Sequence, residues 1–333
     1  MLQKITKVYA DHGMPIECDI YTVAEPVPDA PVALFFHAGA LTGWGRDCVP
    51  PWLVQACCKQ KWPLISASYR LMPQTGTAGL AEDVTAAYDF AQSWDCSSDK
   101  KRRVIVVGAS AGFFLASFLG RTADPPPLAL FSIAGINSFT HPFYRSSVLV
   151  TPEVTPDSAV EPALAGPLVV GRSIPNGHDD ASIFRVDALQ SDAGRDPAWT
   201  PPAVPDTRTP QEKQMWDARA LLYRYLIYHN RWPDMTAALD GGREWHAWTA
   251  ARRAQWPPTV IFHGSADSAV PLEVSEQLRE VMGADKVSVF VAEGQDHLFE
   301  RAMFLEEEKP GMNAVRDAVA KLVEVVKQAN ERK

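Results

Sequence analysis

The chain has 333 residues, 46% of them apolar and 22% charged, enough to bury a sizeable core in one large domain or one domain with an insertion. Its formal charge is −8 and no basic run occurs anywhere, which argues against nucleic acid and anionic membrane as partners. The opening MLQKITKVYADHGMPIE holds no continuous apolar stretch of the secretory-leader kind and no later segment nears the roughly 18 apolar residues of a membrane span, so a cytoplasmic chain is expected.

Taken in chain order, Ile5–Ala10 and Ile16–Val23 alternate in polarity around Asp11-His12-Gly13 and predict an antiparallel hairpin. The runs Val32–Phe36, Leu64–Ser68, Val104–Val107 and Leu128–Ile133 do not alternate, as expected of strands buried on both faces of a parallel sheet. Between them, Leu80, Val84, Ala87, Tyr88, Ala91 and Trp94 recur on one face of a predicted helix. Val260–Phe262 and Val287–Val291 repeat the strand pattern, and Val315, Ala318, Val319, Leu322 and Val326 line a closing helix. The pattern is α/β: a mostly parallel sheet of eight strands with helices on both faces. Cys18, Cys48, Cys57, Cys58 and Cys96 are odd in number and lack metal-ligand spacing, so buried thiols in a reducing compartment are expected.

From Asn137 to Gln255 the strand–helix alternation stops. Eleven prolines fall between Pro142 and Pro210, followed by the helical, aromatic run EKQMWDARALLYRYLIYHN. Trp199, Trp216, Trp232, Trp245, Trp248 and Trp256 crowd this region. A structureless loop of such length is unusual, so the expected organisation is a core over 1–136, an inserted lid subdomain over 137–255 and a second core segment over 256–333. The near-continuous apolar stretch Leu221-Leu222-Tyr223 and Tyr225-Leu226-Ile227-Tyr228 would face a ligand, pack within the insert or meet a second copy in a homodimer. His178-Asp179-Asp180 lies in a Pro/Gly-rich stretch without further ligands and reads as a solvated turn; Glu306-Glu307-Glu308-Lys309 reads as a solvated helix end.

The third apolar run of the sheet leads straight into Gly108-Ala109-Ser110-Ala111-Gly112 and then into Phe113, Phe114, Ala116 and Phe118, which suit a helix. A sharp strand-to-helix reversal strains its central residue and brings its neighbours against adjacent backbone, so small residues flank it and the serine hydroxyl stands at the top of the sheet. A nucleophilic serine needs a base, an orienting carboxylate and donors for an oxyanion. Asp267 follows the strand in PPTVIFHGSADSAVP, and His297 follows the strand in KVSVFVAEGQDHLF. The chain order Ser110, Asp267, His297 differs from the orders of the chymotrypsin and subtilisin arrangements. Donors are expected in Phe36-His37-Ala38-Gly39-Ala40-Leu41: the amides of Gly39 and Ala40, joined by that of Ala111 after the nucleophile, with His37 bracing the loop.

These residues together resemble the α/β-hydrolase superfamily, closest in style to the hormone-sensitive-lipase-like ("fold-3") esterases. The loop after Phe36 is similar to that group's His-Gly-Gly-Gly motif, with Ala38 and Ala40 in place of two glycines. Ser68-Tyr69-Arg70-Leu71-Met72-Pro73-Gln74 sits where the group carries Asp-Tyr-Arg-Leu-Ala-Pro-Glu, so both acidic residues are gone and Arg70 is expected to lack its usual carboxylate neighbours. His263-Gly264 with Asp267, Val270 and Pro271 resembles the acid turn shared with prolyl-oligopeptidase-like hydrolases. The resemblance covers the two core segments, places the insert after the sixth strand where this fold carries lids, and implies no metal or cofactor. It implies a serine hydrolase cleaving a carboxylic ester, lactone or thioester of a fairly bulky hydrophobic small molecule. The same triad would serve an acyltransferase or cyclase of polyketide-like biosynthesis if the lid keeps water out. Peptidase or amidase activity stays open on this fold. A ligand-binding relative is disfavoured, because no triad residue is missing.

Overall fold

The computed structural model describes residues 2–25, 27–28, 30–96, 101–145, 154–172, 189, 206–240 and 250–331. Strands β1 (Leu2–Asp11) and β2 (Pro15–Val23) form the antiparallel hairpin, and β2 pairs antiparallel with β4 (Leu64–Ala67). The remaining strands, β3 (Val32–Phe36), β5 (Val104–Ala109), β6 (Ala129–Ile133), β7 (Thr259–Gly264) and β8 (Val287–Ala292), pair in parallel. The order across the eight-stranded sheet is β1-β2-β4-β3-β5-β6-β7-β8. Every residue of β3 to β7 is buried, which is why these runs show no polar alternation.

Side chains along the central strands still divide by the two-residue period. Leu34, Phe36, Val104 and Val106 join a core cluster with α2 (Gly76–Ser93) and α3 (Gly112–Thr122). Ala33, Phe35, Ile105 and Val107 point to the opposite face, against α1 (Pro51–Lys59) and α9 (Met312–Glu331). A further helix, α8 (Glu273–Met282), buries Val274, Leu278 and Met282. Among the described residues no helix is long and apolar enough to cross a membrane. Cys18, Cys48 and Cys57 are buried thiols, whereas Cys58 and Cys96 are only half-buried.

Within 137–255 the described residues form a 3₁₀ turn at Pro142–Arg145 and helices α4 (Asp157–Leu164), α5 (Pro210–Tyr228), α6 (Trp232–Thr236) and α7 (Ala250–Gln255). Helix α5 starts sharply: Pro210 occupies its first turn, the Glu212 N–H donates to the Thr209 hydroxyl, and the Glu212 carboxylate accepts from the Thr209 N–H. Its Met215, Trp216, Leu222, Leu226 and Ile227 are buried in the cluster that covers the α2/α3 face of the sheet, while Leu221 is exposed. Trp199, Trp245, Trp248 and His178-Asp179-Asp180 lie outside the described residues. Glu306–Lys309 is not the expected helix end. It lies in a turn before α9, where Glu307 accepts from the Phe304 N–H and Glu308 pairs with Arg316, so its charges are used in closing the turn.

Candidate active site

Parallel register brings the functional strand ends to one edge of the sheet: Phe36 pairs with Gly108, Ala109 with Ile133, Ile133 with Phe262, and Gly264 with Ala292. Ser110 occupies the reversal between β5 and α3 with φ +50°, a left-handed conformation that costs a non-glycine residue about 1–3 kcal/mol. Its surroundings fix that conformation. The Ser110 N–H donates to the Ile133 carbonyl at 2.9 Å, and its own carbonyl accepts from Ile136 at 2.9 Å and Phe113 at 3.1 Å. The flanking glycines answer to space: a Cβ at Gly108 would meet the Phe113 backbone at 2.4 Å, and one at Gly112 the Phe36 carbonyl oxygen at 2.1 Å.

The structure brings Ser110, Asp267 and His297 together. His297 Nε2 lies 3.0 Å from Ser110 Oγ, and His297 Nδ1 lies 2.7 Å from Asp267 Oδ2. A carboxylate facing Nδ1 places the ring proton there and leaves the Nε2 lone pair for the serine hydroxyl. Ser110 is 7% exposed, so the hydroxyl sits at a floor rather than on the surface. The Asp267 side chain is fully buried; its Oδ1 accepts from the N–H groups of Ala269 at 2.9 Å and Val270 at 2.7 Å. Burial alone would raise this carboxyl, yet the hydrogen bonds from His263 and His297 hold it well below the usual carboxylate range. Asp296 is turned away, accepting from the Ser268 N–H, the Ser268 hydroxyl and the His297 N–H at 2.7–2.9 Å.

His263, at the end of β7, is the residue to which sequence reasoning gave no role. It is fully buried, with Nε2 2.7 Å from the Val270 carbonyl oxygen and 3.1 Å from Asp267 Oδ2, and Nδ1 2.8 Å from Ser275 Oγ. Two acceptors at Nε2 put its proton there, so a second imidazole donates to the carboxylate that faces His297. The signal was present only as the His-Gly pair of the acid-turn motif. Tyr223 of α5 reaches the same turn, donating to the Ala269 carbonyl at 2.7 Å. Burial, and then the Asp267 charge, push the Tyr223 phenol far up.

The loop after β3 carries the other expected residues. Gly39, Ala40 and Leu41 have φ +102°, +54° and +62°, and a Cβ at Gly39 would sit 2.3 Å from the Gly43 carbonyl oxygen. The Gly39 carbonyl accepts from the N–H groups of Thr42 and Gly43, both at 2.9 Å, while those of Gly39, Ala40 and Ala111 make no backbone hydrogen bond among the described residues. His37 is buried, stacks on Tyr69 at 4.2 Å, and is 2.7 Å through Nδ1 from the Ala38 carbonyl oxygen. Burial lowers its pKa to about 4, so it is neutral and braces the loop. Arg70 does not lack carboxylates, as its sequence neighbours suggested. Asp83 accepts from its backbone N–H at 2.8 Å and from Nε and Nη2 at 2.9 and 2.7 Å, and Glu82 accepts from Nη2 at 2.6 Å. Helix α2 supplies both, and the guanidinium fills the space where His12, Glu82 and Asp83 converge.

No protein-family model matches the sequence. The chain is 25% identical to the non-reducing polyketide synthase ausA of Aspergillus calidoustus over 92% of its own length, and 23% identical to polyketide synthase adrD of Penicillium rubens over 95%. It spans only 13% of each of those proteins. It is also 24% identical to the probable carboxylesterase M8 of a Phoma species, covering 84% of this chain and 82% of that one. Among solved structures, an alpha/beta hydrolase superfamily protein from Enterococcus faecalis superposes with TM-score 0.65 at 14% identity, covering 98% of this chain and 99% of that one. A thermostable esterase from Pseudomonas putida gives 0.56 at 13% identity over 96% and 82% of the two chains. A bacterial heroin esterase gives 0.53 at 14% identity over 99% and 84%. At these identities the likeness is one of fold.

Proposed function

We propose that this chain, which has the α/β-hydrolase fold, is a serine hydrolase that cleaves a carboxylic ester, lactone or thioester of a bulky hydrophobic small molecule through an acyl-enzyme on Ser110. The observation that carries the reading is the continuous relay from Ser110 Oγ through His297 to the buried Asp267, with links of 3.0 and 2.7 Å. His297 Nε2 accepts the serine proton as Oγ bonds to the substrate carbonyl carbon, and Asp267 stabilises the imidazolium that forms. The amides of Gly39, Ala40 and Ala111 receive the oxyanion, where fixed donors act on charge that develops only in the transition state. The carbonyl re-forms, the leaving group departs with the proton from His297, and a water activated by the same imidazole releases the acid. The esterase names among the fold neighbours and the carboxylesterase relative support ester cleavage.

A second reading is favoured by the two fungal polyketide synthases, each of which aligns with more than nine-tenths of this chain. There the acyl group would arrive as a thioester and leave to water, to an alcohol or to an internal nucleophile. In both readings residues 137–255 act as the lid over the site, a role supported by the reach of Tyr223 to the turn that carries Asp267.

A fluorophosphonate probe should label the wild-type chain at Ser110. Ser110→Ala should abolish labelling and lower kcat on the order of 10⁴-fold or more on whichever ester or thioester is turned over. An alanine variant that keeps its activity would end the serine mechanism. Product analysis with and without an added alcohol separates hydrolysis from transfer.

A further inference from the structure

The loop that would bind the oxyanion is gripped from the insert. Arg219, in the middle of α5, is 1% exposed. Its Nη1 donates to the carbonyls of Thr42 at 3.2 Å and Met72 at 2.8 Å, and its Nη2 to Gln74 Oε1 at 2.7 Å. The Met72 N–H in turn donates to the Leu41 carbonyl at 2.8 Å. The loop of Gly39–Thr42 and the loop of Met72–Gln74 are thus tied to each other, and both are tied to one guanidinium. A planar fork of donors suits this task, because it can serve several carbonyl groups at once without changing shape. Trp216, one turn earlier on α5, lies 5.7 Å beneath the guanidinium.

Gln74 fits the same arrangement. Its Oε1 accepts from Arg219 while its Nε2 donates to the carbonyls of Ala163 at 2.7 Å and Leu164 at 3.2 Å at the end of α4. A glutamate, which has no such donor, could do only the first. The grip also falls where the loop is strained. Ala40 and Leu41 hold left-handed φ of +54° and +62° without being glycine, a conformation that persists only where neighbours impose it.

We infer that Arg219 is a positioning residue for the oxyanion loop: α5 of the insert, through this guanidinium, holds Ala40 and Leu41 left-handed so that the Gly39 and Ala40 amides face the reacting carbonyl. The inference rests on the serine-hydrolase reading above. Without the clamp, Thr42 and Met72 lose a shared donor and the two non-glycine residues relax, turning the amides away from Ser110. Ground-state contacts to the rest of the substrate are untouched, so the loss falls on the transition state.

The test compares wild type with Arg219→Lys and Arg219→Met, each counted by fluorophosphonate active-site titration, on one ester and one aryl trifluoromethyl ketone. With the ketone, Ser110 Oγ adds to the carbonyl carbon, the serine proton passes to His297, and the charge rests on the oxygen in the oxyanion site. In Arg219→Met, kcat per titrated site should fall about 10–100-fold, since one oxyanion donor is worth about 10²–10³. KM should stay within about threefold, and the ketone Ki should rise by the factor that kcat/KM falls. Arg219→Lys, which keeps one cationic donor, should recover part of both. If Arg219→Met does not fold, the same two numbers for Arg219→Lys decide. Wild-type kcat per site and wild-type ketone Ki in a folded variant of lowered Tm would make Arg219 a strut and overturn the inference alone. A ketone that fails to bind wild type would overturn the serine reading and the inference together.

Discussion

Two aspartates stand beside His297 in different senses, and only one of them faces its ring. Asp296 adjoins it in sequence but spends one oxygen on three donors from Ser268 and the His297 backbone. Asp267 is thirty positions away and 2.7 Å from Nδ1. Asp267→Asn presents an amide NH₂ or a neutral oxygen to both imidazoles, which favours the wrong tautomer of His297; kcat should fall roughly 10⁴-fold. Asp296→Asn keeps an oxygen for its three donors and should cost at most about tenfold. Steady-state rates of the two variants decide the matter, and equal losses would show that the carboxylate has been misassigned. Glu300, three residues after His297, makes a separate prediction. Both its oxygens are buried with no hydrogen-bond partner from another residue among the described residues, and burial raises its pKa to about 8 from an ordinary value near 4.3. The folded chain keeps a proton that the unfolded chain releases above that ordinary value. The stability this group contributes is therefore full below about pH 4 and is lost as pH climbs toward 8. Glu300→Gln, neutral throughout, should change Tm little near pH 5 and raise it by about a few degrees at pH 8. Thermal melts at the two pH values check this, and a lower Tm at pH 8 would mean that the native carboxyl is charged.

At the scale of elements, the sequence was most readable where one physical demand dominates. The strand Val32–Phe36 is found with the bounds its apolar run implies, because full burial leaves no polar position to blur them. The reversal at Ser110 was readable for a similar reason: the space at Gly108 and Gly112 admits nothing larger than hydrogen. Legibility failed where a partner comes from another element. Arg70 lost its carboxylate neighbours in the chain, yet α2 delivers Glu82 and Asp83 to it twelve and thirteen positions later, a pairing that only the packing of α2 on the sheet creates. His263 lies within an apolar strand, and its hold on Asp267 depends on a turn folding back over the strand end. Arg219 interrupts an apolar run as an exposed helix charge would, but α5 turns that face inward onto the carbonyls of two loops. The left-handed Leu41 had no sequence mark, and Ala40 only that it stands where the resembled motif carries glycine, since alanine and leucine themselves give no warning of positive φ.

At the scale of the molecule, the question is what the insert does for the site that the sheet builds. Helix α5 does not pack only within the insert, because its buried face shares a core with α2 and α3. Its residues also divide around the axis. Tyr223 reaches the Ala269 carbonyl beside Asp267, whereas Tyr225, two positions on and so on nearly the opposite side of the helix, donates to Asp157 of α4 at 3.0 Å. If the insert selects substrate, the two tyrosines should differ in consequence. Tyr223→Leu removes bulk and a hydroxyl from the turn that carries Asp267 and should shift the preference between bulky aromatic esters and acetyl esters. One lost contact group that fits a pocket is worth about 1–3 kcal/mol, or roughly 10–200-fold in the ratio of kcat/KM values. Tyr225→Leu should leave that ratio within about twofold, since an exposed side-chain pair contributes little and lies away from the reacting bond. Both variants should still be labelled at Ser110 by a small fluorophosphonate, which separates a change of selection from a loss of the machinery. The measurement is kcat/KM across a panel of esters graded in acyl and alcohol size, for wild type and both variants. A ratio that stays flat in Tyr223→Leu would make the insert a scaffold that holds the Gly39–Thr42 loop, with selection lying elsewhere in the chain.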